Sequence, residues 1–242
     1  MTRLLNGIVA FGSTLLLAVT LIGAGFAAVA IPDAATATLS RAFSGCDQPN
    51  APFTADELAS MAIAGKRYTF DDNDREKLDA AIAEANVAAE ADGRAGALTR
   101  ESAARSLPAD AISHLDDVYR VASMAKPALM IVAVLCIAGL AHVAVHIGRR
   151  ALGRTLMAGG GLVLAAFCAL GAWAAIDFDG LFAAFHSLFF QAGTWTFPYD
   201  SPLITLYPTA FWMGMGGIWL AVTCIASIIC IIVGRLLPNE TK

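Results

Sequence analysis

Four stretches of this chain, residues 4–31, 127–147, 155–176 and 209–234, run for about 20 residues or more without a charged side chain. A helix rising 1.5 Å per residue needs about 20 apolar residues to cross a hydrocarbon core roughly 30 Å thick. Such helices are apolar on every side, so a soluble core of this size cannot hide them. The pattern predicts an all-α integral membrane protein with four transmembrane helices.

Between the first two spans, apolar positions recur at helical spacing among polar ones. Thr54 followed by Asp56 and Glu57 marks a helix start, with Leu58, Met61 and Ala62 on its apolar face. A second helix rich in Ala and Glu is expected over 72–91, and Asp92-Gly93-Arg94-Ala95-Gly96 reads as a turn. Ser106 to Asp110 then opens a third helix that carries His114 and runs toward Pro127, where a bend would let it lie along a membrane surface. Residues 32–126 are therefore expected to form a helical cap. No strand pattern competes anywhere in the chain.

Composition agrees, with 57% hydrophobic residues and a mean hydropathy of +0.65. The apolar run after Met1-Thr2-Arg3 is much longer than the 7–15 residues or so of a signal-peptide core, which favours a retained anchor. Charge then sets orientation. Arg149, Arg150 and Arg154 sit in the short connection 148–154, with Arg3 and Arg235 near the termini. The positive-inside rule thus places both termini and this loop in the cytoplasm. Residues 32–126 and 177–208 then face outward and hold 19 of the 20 acids. Cys46 is the only cysteine outside the spans, so no intramolecular disulfide is expected in the cap. Asp71, Asp72 and Asp74 read as a solvated face rather than a metal site, because no calcium-loop pattern follows them.

The second outer region, 177–208, is unusual. Eleven of the 21 aromatic residues lie between Phe178 and Trp212, and most of these are Phe. An interfacial belt favours Tyr and Trp, which have polar tips, and so does not account for the Phe content. His186 stands among them, on what reads as the short loop between two apolar segments. At helical spacing Phe182, Phe189 and Phe190 flank it, and Trp195, Tyr199 and Asp200 follow in a proline-punctuated loop. Aromatics around one imidazole suit a lipid-like substrate with a polar reactive end. His114 is the other outward histidine near the same interface, and two imidazoles can divide the proton transfers of an acyl transfer. His142 and His146, an i, i+4 pair, lack further ligands for zinc or haem and read as interfacial or packing residues.

The four-span plan with its outer cap carries two motifs. One is His114-Leu115-Asp116-Asp117-Val118 before span two. The other is Phe185-His186-Ser187-Leu188-Phe189-Phe190, followed by Trp195 and a run from Asp200 to Pro208. Together they resemble the lipoprotein intramolecular transacylase family of bacterial membrane proteins, over nearly the whole chain. The resemblance implies a substrate lipoprotein whose N-terminal cysteine bears a diacylglyceryl thioether. The acyl chain would move from the sn-2 oxygen to the cysteine amine, with His114 and His186 as the acid/base pair. Asp117, Phe182, Phe189, Phe190, Trp195, Tyr199 and Asp200 would line the substrate. No cofactor, metal or nucleic acid is expected, and the partners are diacylglyceryl-modified lipoproteins and membrane lipid.

Other classes remain open. A non-enzymatic membrane protein with a ligand- or partner-binding cap is the main alternative. A lipid hydrolase would use the same histidines with water, although no nucleophile elbow surrounds Ser187. A transporter fits less well, since the spans hold no Asp, Glu, Lys or Arg.

Overall fold

The structure, a computed structural model, describes residues 2–48, 51–94 and 106–237. Helices follow in the order α1 (Thr2–Ala30), α2 (Asp33–Phe43), α3 (Ala55–Phe70), α4 (Arg75–Ala91) and α5 (Ala109–His142). After a π-helical turn (Val143–Ile147) come α6 (Arg149–Ile176), α7 (Phe178–Ser187), α8 (Pro202–Leu206) and α9 (Thr209–Leu236). Among the described residues there is no strand. Four helices are long and apolar enough to cross a membrane, and the most apolar part of each is only 11–22% buried within the protein. Side chains such as Ile131, Val134, Leu135, Ile225 and Ile229 are exposed. Only lipid makes such surfaces favourable, so this is a multi-pass membrane protein.

The helix expected to open between Ser106 and Asp110 starts at Ala109, and it continues without interruption through Pro127 into the second span. A proline removes one N–H and crowds the preceding turn, yet it does not end this helix. The first half of α5 carries Asp110, Asp116, Asp117, Arg120 and Lys126, whereas residues 127–147 carry no acid, Lys or Arg. Those 21 or so residues are about 31 Å long, one bilayer core, which leaves His114 outside the membrane-spanning part.

The chain divides into two compact units. The first comprises Met1–Ala28, Met124–Leu181 and Ile218–Lys242. Its core is Leu17, Ala18, Leu21, Cys136, Val163 and Phe167, with Trp219 packed against it. Trp219 lies edge-on to Phe167 at 5.3 Å, and its indole N–H donates to the Ile22 carbonyl at 3.1 Å. Small residues let these helices approach, as expected where lipid removes the hydrophobic drive for helix association. A Cβ on Gly160 would lie 2.6 Å from the Ser227 carbonyl oxygen, and one on Gly159 would lie 2.8 Å from Leu17. Gly161, Gly216 and Gly217 have nothing within 4 Å of such a Cβ, so they take no part in this close approach.

The second unit comprises Val29–Ser123 and Phe182–Gly217. The expected start at Thr54 is a full capping box. The Thr54 hydroxyl accepts from the Glu57 N–H, and the Glu57 carboxylate accepts from the Thr54 N–H at 2.7 Å. Arg94 grips the same carboxylate with both terminal nitrogens, at 2.8 and 2.7 Å, and holds Glu57 well below the usual range, at about 2. The helix expected over 72–91 starts at Arg75, because the Asp74 side chain caps it and leaves Asp72 outside. Asp72 and Asp74 both pair with Lys77. Gly93 takes φ +71° at the expected turn, while Ala95 and Gly96 lie outside the described residues. The short helices α2 and α8 have no counterpart in the sequence expectation.

Leu58, Met61, Leu78, Ile82, Leu115, Leu206 and Phe211 form the core of this unit. Gly65 is essential to it. A Cβ there would sit 2.4 Å from the Tyr207 hydroxyl oxygen, which donates to the Ala62 carbonyl at 2.6 Å. Lys66, almost fully buried, is neutralised by Asp33 at 2.8 Å and also donates to the Ile31 carbonyl. A buried ammonium without such partners would be strongly destabilising.

Candidate active site

The N-terminal half of α5 is held from the side by α3 and the α3–α4 connection. The Tyr68 hydroxyl donates to the Asp116 carboxylate at 2.6 Å, and the Asn73 amide donates to the same oxygen at 3.3 Å. Asn73 has φ +52°, a left-handed conformation that Asn tolerates better than most residues. Ala111, Ile112 and Leu115 are buried in the unit's core, and that packing fixes the helix rotation. His114 shares this buried side and is only 7% exposed.

His186 is not on a loop, as the sequence suggested, but in the last turn of α7. Its ring lies 6.1 Å from that of His114, centroid to centroid, with an interplanar angle of 29°. The two imidazoles, 72 positions apart in sequence, are thus stacked neighbours. Nδ1 of His186 is 2.8 Å from the Phe182 carbonyl oxygen one helical turn earlier. A carbonyl can only accept, so in the neutral ring Nδ1 carries the hydrogen and Nε2 keeps the lone pair.

Aromatic rings enclose the pair. Phe182 lies 4.0 Å from His186 and Trp195 lies 4.8 Å from it. Phe190 touches both, at 5.0 Å from His114 and 5.7 Å from His186. Phe182 flanks His186 by helical spacing, but α7 ends at Ser187 and Phe189 and Phe190 arrive through the following turn. Phe189 packs on Phe185 and Phe190 and is about half exposed. Asp117 is half-buried, pairs with Arg120 at 3.1 Å and acts electrostatically on His114. Tyr199 and Asp200 are exposed and make none of the ring contacts around the imidazoles, and Tyr199 is instead set beside Asp47.

Two residues join the group that sequence reasoning did not select. Phe197 lies 5.6 Å from His114, and Trp212 lies 6.0 Å from Phe182. Phe197 was visible only as one more aromatic in a proline-flanked loop. Trp212 opens a span and reads as an interfacial anchor.

Burial among apolar rings disfavours charge on both imidazoles. It lowers His114 to about 4, with His186 adding repulsion and Asp117 opposing the shift. His186 is lowered as well, chiefly by burial, while its bond to Phe182 acts the other way. Both rings are therefore neutral at pH 7. A neutral imidazole can accept a proton at one nitrogen and donate one from the other, so the pair can serve a reaction that needs both. Two polar nitrogens, Nδ1 of His114 and Nε1 of Trp195, are buried without a hydrogen-bond partner in the protein. Unsatisfied buried groups are costly and mark places where a ligand can supply the missing partner.

The model of the lipoprotein intramolecular transacylase family matches residues 95–212, the segment that holds both imidazoles. Among curated proteins, none matches the sequence. Among solved structures, the chain has the fold of the membrane-integral lipoprotein intramolecular transacylase of Bacillus cereus. The TM-score is 0.74 at 18% identity, over 96% of this chain and 95% of that one. Two variants of that protein, with a histidine replaced by arginine or by alanine, give a TM-score of 0.70 at 17% identity. They cover 98% of this chain and 93% and 94% of theirs. The family model covers the segment that holds the imidazole pair, and the fold is shared along nearly the full length of that transacylase.

Proposed function

We propose that this protein moves an acyl chain within a diacylglyceryl-modified lipoprotein, from the sn-2 ester oxygen to the amine of the N-terminal cysteine. The observation that carries this is the stacked, neutral His114–His186 pair inside an aromatic enclosure. The amine nitrogen attacks the ester carbonyl carbon and gives up a proton to Nε2 of His186, whose lone pair the Phe182 carbonyl leaves free. The tetrahedral intermediate collapses, the carbon–oxygen bond breaks, and the sn-2 oxygen takes a proton from His114. The product is an amide and a monoacylglyceryl thioether.

Direct attack closes an eight-membered ring, which forms poorly in solution. Holding the two ends together can supply up to roughly 7–11 kcal/mol, and acid/base help adds a factor of about 10²–10⁴. Phe182, Phe190, Trp195 and Phe197 supply the confinement, and Phe185, Leu188 and Phe189 offer exposed apolar edges for the acyl chains. Asp117 tempers the loss of basicity at His114. Tyr199 and Asp200 would meet the more distal, polar part of a bound lipoprotein. Arg3, Arg149, Arg150, Arg154 and Arg235 support cytoplasmic termini, with 32–126 and 177–208 outside.

Expression in a bacterial host that makes diacylglyceryl lipoproteins tests the reading, with mass spectrometry of tryptic N-terminal lipopeptides. Wild type should yield the N-acyl, S-monoacylglyceryl form, and His114→Ala and His186→Ala should each lower its rate of formation by about 10²–10⁴-fold. Unchanged lipopeptides with well-expressed wild type would defeat the proposal. Free fatty acid without N-acylation would point to a hydrolase.

A further inference from the structure

The first unit has a cavity of about 240 Å³ lined by Arg150, Gly153, Arg154, Met157, Gly234 and Arg235. Arg150 and Arg154 stand one turn apart on the same face of α6, and Arg235 comes from the last turn of α9. The two helices meet backbone to backbone there. A Cβ on Gly153 would lie 2.6 Å from the Gly234 carbonyl oxygen, and a Cβ on Gly234 would lie 2.6 Å from the Gly153 carbonyl oxygen. Each of these glycines is followed directly by an arginine. Close approach therefore forces guanidinium groups of different helices onto one small space.

Nothing described in this unit neutralises them. None of the three arginines forms an ion pair with a described residue. The unit's described carboxylates are Asp177 and Asp179, beyond the other end of α6, about 40 Å away along a helix of this length. The first turn of α6 adds to the positive potential, since Gly148 offers it no side-chain cap. Like charges converging in this way are unfavourable unless an anion joins them, and planar guanidinium forks match the oxygens of a phosphate.

We propose that this cavity binds a phosphate oxyanion, namely the headgroup phosphodiester of an anionic phospholipid. A lipid is favoured over free phosphate by the surface that leads from the arginines. Ile228, Ile232 and Leu236, at i, i+4 and i+8 on α9, form an exposed apolar stripe ending beside Arg235. Acyl chains can lie along that stripe while the headgroup occupies the cavity.

The test uses purified full-length protein in neutral detergent, titrated with phosphatidylglycerol, phosphatidylcholine or inorganic phosphate and followed by native mass spectrometry and thermal unfolding. Phosphatidylglycerol should be retained and should raise the melting temperature, at least about tenfold more tightly than phosphatidylcholine and with weakening in salt. Arg150→Gln, Arg154→Gln and Arg235→Gln should each remove most of that selectivity, whereas Arg149→Gln, which does not line the cavity, should keep it. If a variant fails to fold, the wild-type preference between the two lipids still decides the matter. Equal retention of the two lipids, selectivity that survives all three substitutions, or protection by inorganic phosphate equal to that by phosphatidylglycerol would each overturn the proposal.

Discussion

Acidification is the sharpest probe of the imidazole pair. An unperturbed histidine with pKa near 6.5 would be about 97% protonated at pH 5, whereas His114, lowered to about 4, would be only about 10% protonated. His114 should therefore stay neutral from pH 7 down to about pH 5, as read from its ring signals in an NMR titration. The same displacement is a stability statement. The folded-state value lies below the unfolded one, so between pH 6.5 and about 4 the unfolded chain binds the extra proton. Stability falls as pH falls through that window and is fully retained above it. A shift from 6.5 to about 4 corresponds to about 3 kcal/mol at the acid end, an upper figure that relaxation of the site would reduce. The assay pairs an NMR titration of the His114 ring from pH 4.5 to 8 with thermal unfolding in the same buffers, the unfolding for wild type and His114→Phe. The variant should lose less stability on acidification. A His114 titration midpoint near pH 6.5, or identical acid losses of stability in the two proteins, would refute the claim that the ring is buried and neutral.

Other perturbations address the frame that holds the pair. Thr54→Ala removes the N-cap of α3 and should lower stability by about 0.5–2 kcal/mol, read as a fall in melting temperature. Gly65→Val must collide with Tyr207 and should displace its bond to Ala62, giving a larger fall and, because α3 supports α5, reduced acyl transfer.

Membrane class, helical character and the two histidines were all legible in the sequence, and each has a plain physical reason. Charge-free runs of bilayer length admit few other readings, and Thr54 with Glu57 three positions later announces a capping box. Three things were not legible. The continuity of α5 through Pro127 depends on the helix turns on either side, whereas a proline alone signals a break. His186 looked like a loop residue because an aromatic run has no distinct helical stripe, yet α7 reaches it and aligns Nδ1 with Phe182. The recruitment of Phe197, and the outward turn of Tyr199 two positions later, are set by long-range packing that no local pattern encodes.

The hydrogen bond that fixes His186 in one tautomer bears on the proton inventory of a turnover. The attacking amine releases one proton and the departing oxygen collects one, so reactant and product differ by none. With one uncharged ring accepting a proton and the other giving one, the proposed turnover leaves the net charge of the pair unchanged and draws no proton from bulk water. Such a centre would suit surroundings as dry as the acyl chains of the proposed substrate, where a water-dependent one would starve or hydrolyse the ester.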